Sequence, residues 1–316
     1  MNRRLFLASA PFLLGGCRDT RPAALAPPSV EDSQTRLARA AAFRVPSSAV
    51  RTTPKAPVDV VEQFPELKAL LKVAVRLHPR FGDEPTPTES KLGGQFLWPA
   101  GEEWPRCPEY QIPMQPLLQL RLENAPAHFP FRPKTDLFQL FWTPKATKNV
   151  GPPHLTAIWR KIPPAIGPLA PPPVTDGADL GYVPLPCRFF IERVAEFPPV
   201  ELMPAQMRTK VEVWKPPVDY ATHLSTAPGT KAGGWPARAD VTATCLTCVR
   251  PMDYLLTVDS CEWTAVTKAR WKPAEDPDED GYRCAAGLRL GRSDAAAYQI
   301  YICRRCEKWP LRAVMA

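Results

Sequence analysis

Cys245-Leu-Thr-Cys248 and Cys303-Arg-Arg-Cys306 are two Cys-x2-Cys pairs that together offer four thiolates. Four soft sulfur ligands suit a tetrahedral Zn2+ at about 2.3 Å each and disfavour hard cations. The gap between the pairs is longer than the ~15–20 residues of a compact zinc ribbon, so a pair of strands and an insertion must fill it. Two other chemistries fit the same residues. Disulfides would form if the thiols met an oxidising compartment before a metal. A thioredoxin-like redox pair needs its cysteines at a helix N-terminus, where the dipole lowers the thiol pKa, and Pro251 and Pro310 follow too soon for a good helix. Because four protein thiolates leave no open position, zinc here would be structural. Of the nine cysteines, Cys107, Cys187, Cys261 and Cys284 remain besides these four and Cys17. They form disulfides or serve as small buried apolar residues.

Other chemistry-bearing patterns are weaker. Ser90-Lys91-Leu92-Gly93-Gly94 and Thr230-Lys231-Ala232-Gly233-Gly234 are basic turns, each followed by a Trp-Pro pair. They could present backbone N–H groups and an ammonium to an anion, although tight turns are the commoner use of Gly-Gly. The residue order differs from a phosphate-binding P-loop. Asp276, Asp278, Asp280 and Gly281 begin like an EF-hand loop, yet position twelve is Gly287 rather than the bidentate Glu. That stretch reads as a solvated acidic loop. His78, His128, His154 and His223 are scattered without a zinc-protease spacing, and there is no Gly-x-Ser-x-Gly elbow. Asp253 and Asp259 share a strand face by even spacing and suit capping better than acid–base work. A C-terminal basic cluster of Arg289, Arg292, Arg304, Arg305, Lys308 and Arg312 could face anionic lipid or polymer. Catalytic residues: none emerge.

The elements that must hold these residues are short. There are 41 prolines and 16 glycines in 316 residues, far above the usual proline share of about 5%, which disfavours long helices and central strands. A net charge of +8 is well below that of a dedicated nucleic-acid binder, so no nucleic acid is expected. Phe64 to Leu71 predicts a short helix with Pro65 in its first turn. Lys72 to His78 predicts a half-buried strand, with Val73, Val75 and Leu77 facing in. Cys107 precedes Leu117-Leu118-Gln119-Leu120 by the interval that separates Cys245 from Leu255-Leu256-Thr257-Val258. Second strands follow at Leu137–Trp142 and Ala297–Ile302, the later copy carrying a longer insertion. The economical architecture is an internal duplication, two β-rich halves packed with pseudo-twofold symmetry. The first half has Tyr110 and Thr143 where the second has Cys248 and Cys303, so the second half alone can hold the metal.

The [Ser/Thr]-Lys-x-Gly-Gly segments with their Leu-Leu strands resemble the YwqG-like family, and the run from Cys245 to Ser260 is similar to that family's C-terminal half. The resemblance covers roughly residues 60 to 316. It implies an α+β, β-rich, internally duplicated fold with short helices, and it supplies no established activity or catalytic residue.

Met1-Asn-Arg3-Arg4 and the apolar stretch Leu5 to Leu14 read as a signal peptide, far short of the ~20 residues that span a bilayer. Leu14-Gly15-Gly16-Cys17 resembles a bacterial lipobox with Cys17 as the lipidated residue, and Arg3-Arg4 suits either twin-arginine or general secretion. The expected organisation is a signal peptide over 1–16, a Pro/Ala-rich tether over 17–58, an N-terminal half over 59–225 and a C-terminal half over 226–316. The expected function is an extracytoplasmic, lipid-anchored binding module. It would carry structural zinc and act on an envelope protein or anionic polymer. An envelope enzyme with a site between the halves is the alternative.

Overall fold

The computed structural model describes residues 50–144, 152–173, 178–238, 243–278, 284–290 and 296–316. The signal peptide, Cys17, most of the tether, Asp280, Gly281 and Arg292 lie outside the described residues. Among the described residues no helix is long and apolar enough to cross a membrane.

The fold is β-rich: two six-stranded antiparallel sheets with few helices. After helix α1 (Val60–Gln63) come β1 (Lys72–Arg76), β2 (Pro79–Phe81), β3 (Lys91–Leu92), β4 (Gln115–Arg121), β5 (Leu137–Trp142) and β6 (Leu155–Arg160). The chain continues through β7 (Cys187–Phe189), β8 (Glu192–Glu196), helix α2 (Ala205–Val213), β9 (Lys231–Gly233) and β10 (Asp253–Asp259). Helix α3 (Lys268–Trp271), β11 (Ala297–Ile302) and β12 (Leu311–Met315) complete it. One sheet runs β8-β1-β9-β10-β11-β12 and the other β2-β7-β3-β4-β5-β6. The sheets are laced together, since the chain leaves one at β1 to enter the other at β2 and returns between β7 and β8. A single apolar cluster draws Val75, Leu256 and Ile300 from one sheet and Leu118, Phe138 and Leu140 from the other. Tyr182 and Tyr298 meet hydroxyl to hydroxyl at 3.2 Å within it.

Several expectations need correction. The helix predicted over Phe64 to Leu71 is a 3-10 turn, Pro65–Leu70. Phe64 precedes a proline and takes ψ 82°, outside the helical range, so α1 cannot continue through it. The half-buried strand is instead covered on both faces from Ala74 onward, and exposed at its start, where Val73 is 42% exposed. Arg76 and His78 are fully buried, because Thr53 and Trp271 lie over the polar side of β1, a central strand between β8 and β9. Asp276 is buried rather than solvated, paired with Arg51 and Arg80. The spacing argument for Asp253 and Asp259 fails at a register irregularity between Tyr254 and Leu256. Asp253 pairs with exposed Arg304, while Asp259 accepts from the Cys261 and Gly229 N–H groups.

Candidate metal centre

The β10–β11 register explains how distant cysteines meet. Asp253 at the start of β10 pairs with Ile302 at the end of β11, so the turn before β10 and the turn after β11 emerge at one edge. In the first turn the Cys245 N–H donates to the Arg250 carbonyl and the Val249 N–H to the Cys245 carbonyl, both at 2.9 Å. Val249 closes it at φ +53°. In the second, the Cys303 N–H donates to the Pro310 carbonyl and the Trp309 N–H to the Cys306 carbonyl, both at 3.0 Å, with Trp309 at φ +49°. Trp309 packs edge-on against Trp159 of β6, and the Arg132 guanidinium covers both rings. The knuckle of one sheet is thereby braced on the other.

All four sulfurs lie within 4.8 Å of one another. Cys248 and Cys303 are 3.5 Å apart, Cys303 and Cys306 3.8 Å, and Cys245 and Cys306 3.9 Å. A tetrahedron with 2.3 Å zinc–sulfur bonds has edges of about 3.8 Å, whereas a disulfide needs about 2.05 Å. The donor set and its spacing therefore fit Zn2+. The Cys245 thiol is pushed down to about 6, first by the Cys248 backbone N–H and also by that of Thr247. Desolvation pushes Cys248 up and Cys306 up to about 12. Without a metal the cluster would thus retain protons that a divalent cation displaces.

The same backbone turn recurs at Cys107: its N–H donates to Ile112, Gln111 donates back to Cys107, and Gln111 has φ +53°. Tyr110 and Thr143 stand there in place of thiolates; Tyr110 packs against His154, whose N–H donates to Thr143. Of the other cysteines, Cys107 and Cys187 are buried thiols, and Cys261 and Cys284 form a disulfide.

The two basic turns sit in different sheets, with their ammonium groups turned inward. Lys91 donates to the Pro85 and Gln95 carbonyls, at 2.9 and 2.7 Å. Lys231 donates to Glu196 at 2.6 Å and to the Trp235 carbonyl at 2.9 Å. Burial pushes Lys91 down to about 8 and lowers Lys231 as well. Gly93, Gly94, Gly233 and Gly234 all have positive φ. At Gly234 a Cβ would lie 2.7 Å from the Ala74 methyl and closer still to the Glu196 carboxylate.

Sequence reasoning missed a buried charged network at the β1–β2 crossing. His78, at φ +42°, stands between Glu192 at 3.1 Å and Glu262 at 3.5 Å. Arg76 donates to Thr53, Trp271 and Glu262, while Arg80 and Arg51 share Asp276. Burial holds His78 well below the ordinary histidine range, with Arg76 and Arg80 adding to it. Glu192 reaches the wall of a cavity of about 510 Å3, which Thr53, His223, Leu224 and Arg270 also line. The available signal was Arg76, His78 and Arg80 on alternate positions, three basic groups along one strand face.

Residues 90–158 match a family model described as a domain of unknown function, DUF1963. The match begins at the first basic turn and runs through β3 to β5 into β6. No curated protein matches the chain.

Proposed function

We propose that this chain is a membrane-anchored lipoprotein of the bacterial cell envelope, YwqG-like, acting as a non-catalytic binding module around a structural zinc ion. The observation that carries the reading is the four-sulfur cluster. Its spacing matches a closed tetrahedron with no position left for substrate or water. The disulfide beside four reduced thiols supports a chain that takes up metal before it meets an oxidising compartment, which favours export of a folded protein through the twin-arginine route. Leu14-Gly15-Gly16-Cys17 supports the anchor, on the periplasmic side of a membrane. The partner would be an envelope protein or an anionic polymer.

Internal duplication belongs to the same proposal. β3-β4-β5-β6 and β9-β10-β11-β12 are adjacent in the same order, and register irregularities fall at Pro116/Leu118 and Tyr254/Leu256. The repeat would then run β1–β6 and β7–β12, with its seam before Cys187.

Metal analysis of purified chain with thiol counting tests the zinc reading, and loss of metal in Cys303→Ser/Cys306→Ser is the expected result. The cavity at Glu192, walled by edge strand β8 and by Thr53, Val60, His223 and Arg270, favours a second reading, an enzyme or small-molecule binder with its site there rather than between the halves. Its test is ligand-induced thermal stabilisation that disappears in Glu192→Gln.

A further inference from the structure

We infer that the exposed face built by the two cysteine knuckles is a contact surface for an anionic phospholipid bilayer. Leu246 and Val249 are 84% and 78% exposed, the highest values among the large apolar side chains of the described residues. Both sit on one tight turn, on either side of Cys248. The turn itself does not require them: the matching turn after Cys107 carries Pro108 and Gln111 at these places and keeps the same hydrogen bonds. Val249 is also an unfavourable choice locally, because a β-branched residue at φ +53° is a conformational outlier. Apolar character at this tip therefore serves something outside the fold.

The surroundings indicate what that is. Arg250, Arg304, Arg305 and Lys308 are exposed on the same two knuckles, together with Glu307 and Asp253. Arg304 is paired with Asp253 at 3.0 Å, and no acid of the described residues pairs with Arg250, Arg305 or Lys308. Two apolar side chains are far too small a core for a stable protein interface, which needs about 800 Å2 from each partner. They suffice for shallow insertion between headgroups when cations flank them. Resting on the lipid-anchor reading, the contact can be weak, because a tether from Cys17 makes it effectively intramolecular. The bound chain would then lie with its metal edge on the membrane and the opposite edge toward a partner.

The test uses the zinc-loaded full chain carrying Cys17→Ser, so that no acyl chain contributes. Co-sedimentation with phosphatidylglycerol vesicles is compared with pure phosphatidylcholine vesicles, and with Leu246→Ser/Val249→Ser and Arg305→Gln/Lys308→Gln variants. Each variant retains the same N-terminus, and its metal content verifies that the knuckles are intact. The expected result is binding to the anionic vesicles that weakens at least tenfold in the apolar double variant. Each cation removed should weaken it about fivefold, and added salt should weaken it further. No binding to the anionic vesicles, or equal binding by the apolar double variant, would overturn the inference. The anchor reading fails separately, if chain purified from membranes carries no lipid mass at Cys17.

Discussion

Glu196→Gln should destabilise the protein sharply, because this substitution keeps the side chain's shape and removes one charge from a dry site. Glu196 and Lys231 are both essentially inaccessible and 2.6 Å apart. The carboxylate also accepts from the Ala227 and Trp235 N–H groups, each at 2.8 Å. An amide cannot replace those contacts, since its NH2 group must face either the Trp235 N–H or the Lys231 ammonium, donor against donor. Lys231 is left as a buried charge without a counter-charge. Breaking one side of a buried pair costs about 3–5 kcal/mol, and the hydrogen bonds that the amide oxygen still accepts place this case near the lower end, at about 3 kcal/mol. At roughly 2–4 °C per kcal/mol for a chain of this size, the melting temperature should fall by about 6–12 °C. Scanning calorimetry on Glu196→Gln, Lys231→Met and the double variant is the assay. The double variant should lose less than the sum of the singles by at least ~1.5 kcal/mol. Additive losses, or a shift below about 1 °C for Glu196→Gln, would refute the view that the second basic turn locks the fold through this pair. Stabilisation of the wild type by phosphate that Lys231→Met abolishes would instead return the turn to anion binding.

Gly234→Ala and Gly101→Ala form a matched pair: both have positive φ, but a Cβ at Gly101 meets nothing within 4 Å. Gly101→Ala should cost about 1–2 kcal/mol for the backbone alone, and Gly234→Ala should cost at least ~2 kcal/mol more through overpacking, read by urea denaturation. Burial raises Asp259 to about 7, so the folded state holds a proton that the unfolded state releases near pH 4. That contribution is complete below pH 4 and is lost as pH rises through about 7. Asp259→Asn should therefore flatten the decline in stability between pH 4 and 7, and an unchanged slope in the variant would assign the decline elsewhere.

The strands were legible where their surroundings are simple. Leu117–Leu120 and Leu137–Trp142 lie in a buried sheet, and their apolar runs say so directly. The cysteine cluster was legible because each pair is local and the register of β10 on β11 does the rest. The polar face of β1 was not. Arg76 and His78 read as solvent-facing on strand periodicity, and the groups that cover them, Thr53, Glu192, Glu262 and Trp271, come from distant parts of the sequence. The same holds for Asp276, which shares its loop with acids that do face water. Local pattern reports which residues share a face, whereas the neighbour covering that face is set by topology.

The most direct test of the account is metal content by mass spectrometry, with thiol titration, on the chain purified separately from cytosol and envelope. The account predicts about one zinc per chain in both fractions, with Cys245, Cys248, Cys303 and Cys306 protected from thiol reagents until a chelator is added, and no zinc in Cys303→Ser/Cys306→Ser. An envelope form with no metal and with these four cysteines oxidised to disulfides would contradict it.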